Sequence, residues 1–112
     1  MAANNYAMSL NDLKRFEETR ALLRRTMPVA RRVLGESHEI MLWIRWTYAK
    51  ALYTDDASTL DDLHEADNTL GETARTARRV LGGAHPLTAS FEEDLKRSRA
   101  VLAARETPPT SK

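Results

Sequence analysis

One motif occurs twice in this chain, and that repetition constrains the fold more than any other feature. Ala30-Arg31-Arg32-Val33-Leu34-Gly35, followed by His38, returns as Ala77-Arg78-Arg79-Val80-Leu81-Gly82, followed by His85. Seven of nine aligned positions are identical at a spacing of 47 residues. A fainter echo pairs Asn5-Tyr6-Ala7-Met8-Ser9-Leu10 with Thr47-Tyr48-Ala49-Lys50-Ala51-Leu52 at a spacing of 42. The two echoes run in the same order, so one unit is used twice. The five-residue difference in spacing places an insertion in the second copy, between Tyr53 and Leu60. A chain of 112 residues that repeats at this period reads as a small stack of similar units, each covering its neighbour's apolar face.

Each copy of the motif closes a long stretch rich in Ala, Leu, Arg and Glu. Gly35, Gly82 and Gly83 stand where a helix C-cap belongs, and Pro86 suits the first turn of the helix that follows. Period-2 alternation persists nowhere, so the chain reads as all-α. Five helices are predicted, over about 4–11, 14–34, 37–54, 59–81 and 86–105. Ser37 is the expected N-cap of the third, and Ser58 with Asp61 the expected capping box of the fourth. Pro28 lies inside the second and should kink it; Gly71 lies inside the fourth at a cost of about 1 kcal/mol relative to Ala. Short connections make successive helices antiparallel. Leu34 and Leu81 should close the bottoms of the two hairpins. The expected organisation is one domain over 1–106, with units at about 4–35 and 38–82, a capping helix at about 86–105, and a disordered polar tail over 107–112.

Phe16-Glu17-Glu18-Thr19, then Leu23, then Val33-Leu34-Gly35-Glu36-Ser37-His38 resembles the tetratricopeptide repeat in its kinesin-light-chain form. Leu63, Ala66, Leu70, Val80-Leu81-Gly82 and His85-Pro86 carry the same pattern in the second copy. The distance from Phe16 to Gly35 equals that from Leu63 to Gly82, at 19 residues. Thr19 and Thr26 replace the Ala usual in the family, Lys14 its turn glycine, and Glu39 the Pro after His38. The resemblance implies antiparallel helix hairpins stacked as a short solenoid with a terminal capping helix. Two hairpins fall short of the usual three-repeat minimum, so the chain reads as the end of a longer array or as a short homologue of one. The resemblance also implies that the first helix of each pair lines a concave, partner-binding face. Carried over by position, that face comprises Asn4, Met8 and Asn11, then Trp43, Trp46, Lys50 and Tyr53, with Glu93 and Arg97 from the last helix. Tyr48 aligns with Tyr6 in the packing register and belongs to the core; Trp43 and Trp46 read either as core or as groove anchors, because Arg45 and Lys50 give the third helix a wet side.

Lys plus Arg is 17 against 16 Asp plus Glu, a net charge of +1, which disfavours a chain-wide pull on nucleic acid. No Cys is present, so disulfides, thiol catalysis and Cys-based zinc sites are excluded. No apolar run approaches a membrane span, and the first ten residues lack the pattern of a signal peptide, so a cytoplasmic protein is expected. His38 and His85 sit at helix starts, where an imidazole caps or packs. His64 shares a first turn with Asp61 and Asp62, but acids belong there for dipole reasons, so no metal or other cofactor is expected. Arg outnumbers Lys 13 to 4, with pairs at Arg24-Arg25, Arg31-Arg32 and Arg78-Arg79. These read as a solvated helix face paired with Glu17, Glu18 and Glu72, in preference to a phosphate-binding stripe. No catalytic motif appears. The expected function is a non-catalytic module binding a protein or peptide, with self-association and Arg-mediated nucleic-acid binding as the alternatives.

Overall fold

The computed structural model of the protein describes residues 15–107. Those residues form four helices: α1 (Phe16–Leu34), α2 (Glu39–Thr54), α3 (Leu60–Val80) and α4 (Pro86–Glu106). They contain no strand, as the lack of alternation requires. The predicted helix over 4–11 lies outside the described residues. Helix α1 runs unbroken through Pro28. The bond that Pro28 cannot donate, to the Arg24 carbonyl, falls on an exposed side of the helix, where water can replace it.

The repeated motif is a stop–turn–start device. Gly35 and Gly82 adopt φ of 88° and 97°, a region that glycine enters without a Cβ penalty. The amide of His38 then donates to the Gly35 carbonyl at 3.4 Å, and that of His85 to Gly82 at 3.2 Å. Each imidazole caps the next helix: His38 Nδ1 accepts from the Ile40 amide and His85 Nδ1 from the Leu87 amide, both at 3.1 Å. The expected cap Ser37 is thus displaced by its neighbour His38. Helix α4 starts with Pro86 in its first turn, as predicted.

The α2–α3 connection breaks the helix at 55–59, where the insertion was placed. Its capping box is formed by Thr59 and Asp62, one residue later than Ser58 and Asp61. Ser58 is unavailable because it is buried and its hydroxyl donates to the Leu52 carbonyl, closing the end of α2. Arg105 fixes the loop from α4 by donating to the carbonyls of Ser58 (2.6 Å) and Asp56 (3.3 Å). Thr107 ends α4 with its amide and hydroxyl both on the Ala103 carbonyl.

Each helix packs on the next in the chain, and α2 also meets α4. The backbones of α1 and α3 do not meet. An inner layer of α2 and α4 is therefore tighter than the outer layer of α1 and α3. Helix α2 is surrounded, which explains why it is apolar on almost every side. Leu23, Met41, Ile44, Tyr48, Leu52, Leu63, Leu70 and Leu102 anchor the larger core, and Leu42, Ala74, Ala77 and Phe91 a smaller one. Leu34 and Leu81 pack against these cores but are only partly buried, short of the closure expected of them. Thr19, fully buried where the family prefers Ala, satisfies its hydroxyl on the Arg15 carbonyl at 3.2 Å; Thr26 does the same on Leu22 at 2.8 Å.

Candidate functional site

Between Met41 and Tyr53, every residue of α2 is buried except Trp43, Trp46 and Lys50. Their spacing of three and four residues puts them on one stripe, the part of α2 that its neighbours cover least between Met41 and Tyr53. The indoles of Trp43 and Trp46 meet edge to face, with centroids 5.1 Å apart. Trp46 continues the stack onto Phe91 at 5.4 Å and touches both apolar clusters. Lys50 Nζ lies 5.2 Å from the centre of the Trp46 ring, within cation–π range.

Helix α4 supplies the opposite wall. A groove of about 410 Å3 is lined by Trp46, Lys50, Ala89, Ser90, Glu93, Asp94 and Arg97. Four of the residues singled out from sequence (Trp46, Lys50, Glu93 and Arg97) thus come together from two helices, with Trp43 against Trp46. Arg97 leans on both acids, at 3.8 Å from Glu93 and 3.5 Å from Asp94. Asn4, Met8 and Asn11 lie outside the described residues.

Tyr53 does not present itself on this stripe. It is 6% exposed, and its hydroxyl donates to Asp94 Oδ1 at 2.8 Å. Burial raises the Tyr53 pKa well above the ordinary tyrosine value, and the bond to Asp94 raises it further, so the phenol remains a donor. Asp94 is 3% exposed and accepts from the indole Nε1 of Trp46 as well. This carboxylate is the residue that sequence reasoning missed. One carboxylate holds two aromatic side chains of α2, fixing the Trp46 ring at the groove edge. A signal existed: Asp94 falls on the Phe91–Ser98–Leu102 stripe, which the helix buries, and an acid there needs partners.

The wet side assigned to Arg45 is also corrected. Arg45 is 8% exposed and points away from the groove, to Glu36 at 3.4 Å and Glu72 at 2.7 Å. Tyr48 is buried as expected; its hydroxyl accepts from Arg24 Nε at 3.1 Å and donates to Glu65 at 2.7 Å. Most of the remaining charge is paired on the surface, as in Arg31–Glu36 and Arg78–Glu92. His64 meets Glu106 of α4 at 2.9 Å, not the acids of its own turn. Among the described residues, no helix is long and apolar enough to cross a membrane.

The groove can therefore hold an apolar group on the indoles and orient a polar one by Lys50 and the Arg97–Glu93 pair. The family model for the tetratricopeptide repeat matches residues 1–58, a span that includes helices α1 and α2. No curated protein and no solved structure matches the chain. Repeats of this kind are generally non-catalytic scaffolds for protein–protein interaction. The doubled turn device, the antiparallel hairpins and the matched half of the sequence agree: the chain belongs to the tetratricopeptide repeat family.

Proposed function

We propose that the protein is a binding module that holds a peptide or a helix of a partner protein in the groove between α2 and α4. The observation that carries this reading is the half-buried stripe of α2, Trp43, Trp46 and Lys50, with Trp46 and Lys50 facing Glu93 and Arg97 across that groove. Two indoles supply desolvated contact area, and the charged pairs around them set orientation. Trp46 also supports the folded core, so Trp43 and Lys50 are the informative positions. The outer face of α4 carries Lys96, Arg99, Ala100 and Ala103, a surface poor in large apolar groups, which disfavours self-association at that end.

The test begins with peptides selected by display on the purified full chain. Trp43→Ala and Lys50→Glu should each weaken the selected peptides by at least about tenfold, a loss typical of a groove anchor. Their thermal melts should stay near that of the wild type. Unchanged affinity in both variants would move the binding site elsewhere, and a Trp43→Ala melt lowered by more than about 8 °C would make that indole a core residue.

A further inference from the structure

The outer side of the array carries a separate feature. Because the backbones of α1 and α3 stay apart, a trough opens between the turn after α1 and the C-terminal half of α3. Its volume is about 560 Å3, and Glu36, Arg45, Glu72, Arg75, Thr76 and Arg79 line it. Arg45 forms the floor and engages both acids, while Glu36 also takes Arg31. Both carboxylates are thereby committed. Arg75 and Arg79, one turn apart on α3 and both exposed, have no acidic partner among the described residues. Like charges at this spacing repel each other across a helix face. An anion between them removes that repulsion.

We propose that this trough binds the phosphate of a phosphorylated serine or threonine on a partner protein. With Arg31, which pairs with Glu36 beside the trough, four arginines meet two carboxylates, and the surplus of two positive charges matches a phosphomonoester near neutral pH. Guanidinium forks take phosphate oxygens two at a time, and the Thr76 hydroxyl adds a donor. The Glu36 and Glu72 carboxylates at the same site oppose a continuous polyanion, whose neighbouring phosphates they would face. The net charge of +1 gives no long-range pull toward nucleic acid or an anionic bilayer. A single phosphate carried on a protein meets both conditions. The site is independent of the α2–α4 groove.

Fluorescence anisotropy tests the proposal, with a short degenerate peptide library carrying a fixed phosphoserine and the same library carrying serine. The phosphoserine library should bind at least about tenfold more tightly, as charge-assisted bidentate contacts require. The Arg75→Gln/Arg79→Gln double variant should abolish that preference, and Lys50→Glu should leave it intact, which separates the result from the fate of the groove. Both arginines are exposed, so the fold should survive. Arg79→Gln alone, with an expected loss of about threefold, repeats the test on a milder variant. The proposal is overturned by the absence of a phosphate preference, or by a preference that persists in the double variant. Equal affinity for inorganic phosphate, or tighter arginine-dependent binding of duplex DNA, would overturn it too.

Discussion

The turn joining α1 to α2 and the turn joining α3 to α4 share their chemistry but not their surroundings. Their capping histidines have nearly the same backbone angles, φ −67° and ψ 138° at His38, φ −67° and ψ 137° at His85. Beyond that they diverge. Gly35 donates back to Arg31 alone, whereas Gly82 donates to both Arg78 and Ala77, the second bond reaching five residues back and widening the last turn of α3. Leu34 packs on the larger core and Leu81 on the smaller. Glu39 opens α2 where Pro86 opens α4. The geometry of the device is therefore local, set by a glycine and an imidazole three residues apart, and its neighbours decide how strongly it is held. The α2–α3 connection shows the alternative: it has neither residue, and long-range bonds from Arg105 position it instead.

Substitutions at matching positions can break this comparison. The largest cost is expected from Gly35→Ala and Gly82→Ala. Open space surrounds both positions, so the penalty is one of backbone strain alone, about 1–3 kcal/mol and similar in the two turns. Denaturant unfolding that separates the pair by more than that range would show that the devices are not equivalent. Next come Leu34→Ala and Leu81→Ala, at about 1–2 kcal/mol each because both side chains are only partly buried. A thermal melt should register this as a fall of roughly 4–8 °C per kcal/mol, with Leu34, on the larger core, the costlier of the two. His38→Ala and His85→Ala each remove a side-chain cap and should cost about 1 kcal/mol. Pro86 preorganises the second helix start, so His85→Ala should be the milder, and the reverse order would deny Pro86 that part. The smallest effect has the opposite sign. Gly71 lies inside α3, and a Cβ there would meet Arg75 at an ordinary 3.6 Å. Gly71→Ala should therefore stabilise by about 0.5–1 kcal/mol, and a loss on chemical denaturation would mean the helix needs that glycine.

Sequence read most of the fold because the fold is mostly periodic. The glycine stops, the break at 55–59 and the extent of α3 follow from spacing and from local conformational preference. Both misplaced caps failed by one residue. Ser58 looks like a cap until its hydroxyl is seen on the Leu52 carbonyl, a partner supplied by the preceding helix. The groove divides in the same way. Trp46, Lys50, Glu93 and Arg97 were legible from repeat position, whereas Asp94 showed only as an acid on a buried stripe, its aromatic partners lying 41 and 48 residues away. Arg45 passed for a solvent-facing cation because the acids that bury it, at separations of 9 and 27 residues, sit on other elements. Such long-range polar pairings leave no periodic trace.

The gap between the backbones of α1 and α3 has a mechanical consequence. The inner helices α2 and α4 are in direct contact, while the outer pair is tied through the side chains of α2, at Glu36–Arg45–Glu72 and at Arg24–Tyr48–Glu65. Such an arrangement resembles a beam with one stiff flange and one sprung flange. Flexing that spreads the inner face must separate packed apolar surface, including the Trp46–Phe91 stack. Flexing that spreads the outer face parts those tethers, which water can solvate, together with the packing of Leu23 of α1 and of Leu63 and Leu70 of α3 in the larger core. The two flanges therefore differ in kind: backbone contact closes the inner one, and side chains alone close the outer one.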